Sequence, residues 1–232
     1  MAVSNNMDRP DHPVRILNPT TLECITIPYS SPSYPTSYVT YHFGFNPLAD
    51  EYKILQVQRL EKDYRGMSSW VYQIFTLGKS SWRQIEEDFD LNHLVPFDSH
   101  ECHFRKGGLY ANGVMYWLTR DMIVVFEFVR EKFRVMPLPQ GSRLYSRPKL
   151  FEMGGCLAII RLQEKGLELS ILKDYQDQVW VNESTTFTVR PPKGVEYHIP
   201  LGTIHTGEEI LLRPQMTRVV RKEMVHFYNR KR

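Results

Sequence analysis

The chain has 232 residues, 29 Lys and Arg against 26 Asp and Glu, a formal net charge of +3, and 42% hydrophobic residues. A chain of this size can bury roughly 70% of its unfolded surface. With this apolar share it is not wholly disordered, and 15 Pro and 13 Gly exclude a collagen-like or low-complexity polypeptide. So small a charge excess does not by itself imply a nucleic-acid partner, for which a clustered basic face would be wanted, and none is expected.

Residues 1–13 hold Asn5, Asn6, Asp8, Arg9, Pro10 and Asp11 and no apolar run, so they are read as a disordered segment and not as a signal peptide. From Val14 onward the chain is a series of short runs rich in Val, Ile, Tyr, Phe and Trp, at 38–45, 52–57, 70–77, 113–118, 122–128, 157–162, 167–172 and 209–212. Such runs between turn residues predict an all-β fold. Residues 81–92 are the best helical candidate, with Trp82, Ile85, Phe89 and Leu91 apolar, although this spacing also fits a strand end. Asn112-Gly113 accepts positive φ at both central turn positions and predicts a hairpin. Gly154-Gly155 and Lys165-Gly166 punctuate the later strands in the same way, and residues 167–172 alternate with period two. No run approaches the ~18 apolar residues of a membrane span, so no membrane partner is expected.

A repeat of strand, polar turn and returning strand lies beneath these runs, at residues 14–28, 41–55, 72–85, 123–139 and 167–180. Asn18-Pro19 and Asn46-Pro47 start two of its turns, because Pro presets φ and Asn can bond its own backbone. Leu22, Tyr52, Trp82, Phe133 and Trp180 are expected to anchor the returning strands in a core, and Trp117 to be buried with them. One hairpin cannot bury its apolar face alone, so stacked neighbours are expected: a propeller-like fold or an open meander of hairpin repeats. The domain is placed at 14–212, and residues 213–232 are read as a basic segment, with Arg218, Arg221, Lys222 and Arg230, that holds an incomplete final repeat.

Motifs of catalysis are weak. His100, Cys102 and His103, with His93 nearby, lack the second ligand pair that a zinc site needs, so they are read as an ordinary strand entry. No Gly-x-Ser-x-Gly occurs, and Gly78-Lys79-Ser80 lacks the upstream Gly of a phosphate loop. The carboxylates Glu86, Glu87 and Asp88, like Glu208 and Glu209, are sequence neighbours, and adjacent strand residues face opposite sides, so they make no acid/base pair. No catalytic residue, metal ligand or cofactor is therefore expected. Tyr29, Tyr34, Tyr38 and Tyr145 fall in turns. Tyr145 lies between Arg143 and Arg147, and interfaces favour Tyr and Arg, so this triplet is the candidate partner contact. Cys24, Cys102 and Cys156 are odd in number and far apart, which fits a reducing compartment, the cytoplasm or nucleus.

Four segments in order resemble a known family: Tyr41-His-Phe-Gly-Phe-Asn-Pro-Leu-Ala-Asp-Glu-Tyr-Lys-Ile-Leu55, Phe75-Thr-Leu-Gly-Lys-Ser-Ser-Trp-Arg-Gln-Ile85, Asn112-Gly-Val-Met-Tyr-Trp-Leu118 and Ile123-Val-Val-Phe-Glu-Phe-Val-Arg-Glu-Lys-Phe133. They are similar to the F-box-associated domain of plant F-box proteins, in its type 3 β-propeller group, from about Val14 to about Trp180. The resemblance implies a non-enzymatic protein-interaction module that holds the protein to be ubiquitinated by a cullin-RING ubiquitin ligase. The bound protein is not named by it. The residues ahead of Val14 are too few and too polar for an F-box, so this chain alone is expected not to bind a Skp-type adaptor. The alternatives are a propeller-type hydrolase and a truncated family copy without a partner.

Overall fold

The computed structural model describes residues 2–4, 14–30, 36–60, 70–86, 108–119, 121–139, 148–163, 166–186, 195–204, 209–216 and 226–229. They form strands and turns, with no helix among the described residues. The first sheet holds β1 (Ala2–Ser4), β2 (Arg15–Leu17) and β3 (Cys24–Thr26). The second holds β4 (Thr36–Asn46), β5 (Glu51–Leu60), β6 (Trp70–Thr76) and β7 (Arg83–Gln84). The third holds β8 (Leu109–Ala111), β9 (Val114–Leu118), β10 (Met122–Glu127) and β11 (Lys132–Pro137). The fourth holds β12 (Lys149–Met153), β13 (Cys156–Gln163), β14 (Gly166–Asp174) and β15 (Val179–Thr186). The fifth holds β16 (Val195–Ile204), β17 (Glu209–Met216) and β18 (His226–Asn229). In every sheet the strands lie in chain order. Such up-and-down meanders of up to four strands are the unit from which propellers are built.

The chain divides into two compact units, one of residues 1–119 and 124–135, the other of 120–123 and 136–232. In the first, the second sheet is apolar on both faces. β5 reads as a near-continuous buried run because successive side chains point to opposite faces. Leu55 and Val57 join Tyr72, Ile74 and Ile85 in one cluster with Trp117, Phe126, Phe128 and Phe133 of the third sheet and its turn. On the opposite face Ile54 and Phe75 pack against Val14, Ile16 and Ile27 around the first sheet. Gly44 permits the first contact: a Cβ there would lie 2.2–2.5 Å from three ring carbons of Phe128. In the other unit, Phe151, Ala158, Ile160, Leu169 and Ile171 of the fourth sheet share a core with Ile210 and Leu212 of β17.

All five segments of the sequence repeat are hairpins: β2–β3, β4–β5, β6–β7, β10–β11 and β14–β15. The second and third share one sheet, so the sheet and not the hairpin is the packing unit. The helical reading of residues 81–92 is corrected where it can be compared. Arg83 and Gln84 are β7, opposite Ile74 and Gln73, while residues 87–92 lie outside the described residues. Pairing also passes the bounds read from sequence at 14 and 212. Ala2, Val3 and Ser4 lie opposite Leu17, Ile16 and Arg15, and β18 pairs with β17 from Glu209 to Leu212. Strands of three or four residues are too short to show a period, so a backbone ladder there leaves no pattern to read.

Candidate interaction surface

The Arg143, Tyr145 and Arg147 triplet lies outside the described residues, as do His93, His100, Cys102 and His103. No group of three or more His, Cys, Asp or Glu side chains that could hold a metal is gathered among the described residues. Trp117 is wholly buried and Phe133 nearly so, whereas Trp82 and Trp180 are half-buried. Leu22 and Tyr52 are not core anchors. Leu22 sits at φ +59° in the β2–β3 turn, its N–H bonded to the Asn18 carbonyl, and is 75% exposed. Tyr52, the second residue of β5, stays exposed, its ring stacked on Phe43 with centroids 5.4 Å apart. Gly78-Lys79-Ser80 is a hairpin turn, with Gly78 at φ +86° and the Lys79 N–H donating to the Thr76 carbonyl at 3.0 Å.

Three hairpin turns of the first unit are tied together at one end of its second and third sheets. In the β4–β5 turn Asn46 Oδ1 accepts the N–H groups of Leu48 and Ala49, which projects Leu48 into solvent at 83% exposure. In the β8–β9 turn Asn112 and Gly113 take φ of +47° and +80°, the mirror-type turn their sequence favours. Gly113 lies under Pro47, where a Cβ would come within 3.2 Å of Pro47 Cδ. The Tyr110 hydroxyl bridges the first two turns, donating to the Phe45 carbonyl and accepting the Gly113 N–H, each at 3.0 Å. The Gly113 carbonyl accepts the Phe128 N–H at 3.0 Å, which fixes the β10–β11 turn beside them.

That third turn carries the charge. Glu131 at φ +55° closes it, its N–H donating to the Glu127 carbonyl at 2.7 Å. The Glu131 carboxylate accepts Lys53 Nζ at 2.8 Å on one oxygen and the Arg83 guanidinium on the other. Burial alone would raise the Glu131 carboxyl, but hydrogen bonds and positive charge from Arg83 and Lys53 outweigh it and hold the group below the ordinary carboxylate range. Glu127 is clamped likewise, Oε2 by Arg130 at 3.2 Å and Oε1 by Arg134 at 3.0 Å. Both carboxylates are therefore spent on holding cations and are poor candidates for general bases. Buried beneath, His42 lies edge-on to Trp117 with centroids 4.9 Å apart, its pKa lowered to about 4 by burial, so it is a neutral core group. A partly exposed aromatic and oriented guanidinium groups are side-chain types that interfaces favour. Leu48, Arg83, Arg130 and Glu131 escaped the sequence reading. The signal was faint: apolar and charged residues in turns, where solvated loops look the same.

Residues 2–232 match the family model for the F-box associated beta propeller domain. Among curated proteins, the chain is 25% identical over 232 residues to F-box protein CPR1 of Arabidopsis thaliana, covering 88% of this chain and 55% of that protein. It is 25% identical over 222 residues to F-box protein At4g19940 of the same plant, covering 85% of this chain and 51% of that one. The chain thus spans about half the length of the curated relatives it matches.

Proposed function

Since the chain belongs to the F-box associated beta propeller domain family, we propose that it recognises the target protein of a plant cullin-RING ubiquitin ligase, as a non-enzymatic binding module. The observation that carries this reading is the family match over residues 2–232, with F-box proteins as relatives. The tied turns of the first unit add support, since Leu48 and Tyr52 are exposed on a rigid frame rather than on long loops. Composition alone proposes the segment with Arg143, Tyr145 and Arg147 as a second contact.

Affinity purification of the tagged chain from plant tissue, followed by mass spectrometry, tests the proposal. The expected result is a protein that co-purifies in stoichiometric amount and survives a salt wash. Recovery of background proteins only would overturn it. Turnover of sugar or ester substrates, abolished by one point mutation, would favour the hydrolase reading instead.

A further inference from the structure

We infer that the β10–β11 turn of the first unit is a docking site for an acidic segment of the target protein; this rests on the binding role proposed above. The turn gathers cations around sunken carboxylates. Glu131 and Glu127 are 17% and 6% exposed, while Arg83, Arg130 and Arg134, which they hold, are 60%, 57% and 41% exposed. Glu51 joins from the start of β5, 3.3 Å from Lys53. Among the described residues four cations, Lys53, Arg83, Arg130 and Arg134, thus meet three carboxylates, Glu51, Glu127 and Glu131. At Glu127 and Glu131 the carboxylate lies beneath and the guanidinium groups face outward, whereas Lys53 is itself buried.

An ordinary surface ion pair would expose both partners and contribute little. Here the buried carboxylates fix the guanidinium positions in advance, so less side-chain freedom is lost when an anion arrives. Each of these bonds uses one terminal nitrogen of Arg83 or Arg130, and a guanidinium has five donors in a fork that matches a carboxylate. The exposed apolar groups of this end are aliphatic except for Tyr52. Val129, at the tip of the charged turn, is 37% exposed, and Leu48 stands on the turn joined to it through Gly113. Aliphatic neighbours suit a peptide that carries acidic and aliphatic residues; a single-stranded nucleic acid would stack successive bases on several aromatic faces, and Tyr52 is one exposed ring.

The test uses the full chain and a fluorescein-labelled octaglutamate peptide, read by anisotropy at low and at physiological ionic strength, with octalysine and single-stranded RNA as comparisons. We expect octaglutamate to bind, and binding to weaken with salt. The double variant Arg83→Glu, Arg130→Glu should lose about tenfold in affinity, because rim charges set electrostatic complementarity. The pair Arg15→Glu, Lys173→Glu, exposed positions with the same charge change, should bind like the parent. Matching melting curves for both pairs confirm that folding is not the cause. Should the turn variant misfold, Arg83→Gln with Arg130→Gln gives the same comparison with a smaller loss. Equal loss in both pairs, unchanged binding in the turn variant, no octaglutamate binding, or tighter binding of RNA would each overturn the inference. If the turn variant loses octaglutamate yet still captures the co-purifying protein, this docking site is wrong for that target and the binding role stands.

Discussion

At Gly44 the packing leaves no room for a side chain. The Phe128 ring that fills this space is wholly buried, with Phe126 5.1 Å and Tyr110 6.0 Å away between ring centroids, so it cannot swing aside. Gly44→Ala should therefore cost about 1–3 kcal/mol as an overpacking change, and Phe128→Leu in the same chain should recover part of it, both read from urea unfolding. His42 is a buried titratable group on the same face. Its folded pKa of about 4 lies below the unfolded value near 6.5. Above 6.5 neither state binds the proton, whereas as pH falls the unfolded chain takes up a proton that the fold refuses, and stability is lost. Between neutrality and pH 5 the loss should reach roughly 2 kcal/mol; unfolding measured across that range should show it, and His42→Gln should flatten it. The tryptophans grade by burial. Trp117→Ala should cost about 3–5 kcal/mol. Trp82 is half-buried, and its indole N–H donates to the Pro28 carbonyl at 2.7 Å, so Trp82→Phe should cost about 1 kcal/mol. At this scale the sequence was legible where side-chain size alone dictates the interior, as at Trp117 and Phe133. It was not legible at Leu22 and Tyr52, because apolar character says nothing of whether the position falls at the turn or within the ladder.

The hairpins could be read one by one because a turn is a local event. Asn112-Gly113 needs only its own φ values, and the period-two pattern of residues 167–172 needs only its own strand. What joins hairpins into sheets is not local. That β5 pairs with β6, and puts two repeat segments into one four-stranded meander, depends on ladders between residues such as Gln56 and Gln73. β18 makes the same point. Its pairing with β17 backs Ile210 and Leu212, which belong to the core of the second unit. A chain ended after Met216 should lose protection at the β17 amides that bond to β18, and hydrogen exchange resolved by residue should show this between Glu209 and Leu212. Unchanged exchange there would mean that the β17–β18 ladder adds no stability. An exposed strand edge also invites pairing with another chain, so the shortened protein should elute as larger species on gel filtration.

For the whole molecule, the described strands place apolar cores within each of two units and leave the polar, exposed positions to turns. That arrangement leaves stability to the sheets and, on the proposed reading, binding to the surface turns. The family relation rested on segments spread over residues 41–133, and their order was legible because each is a hairpin with its own turn chemistry. The proposed contact surface was not legible, because it is assembled from three turns distant in sequence, near residues 48, 113 and 130. The central claim is target recognition for ubiquitination. The measurement that tests it most directly fuses an F-box segment from an Arabidopsis relative to this chain in plant cells and follows ubiquitin conjugation on the proteins that co-purify with the chain. The account predicts that at least one of them gains ubiquitin and falls in abundance, and that the same F-box fused to an unrelated propeller leaves it unchanged. A co-purifying protein whose ubiquitination and abundance are the same with either fusion would contradict it.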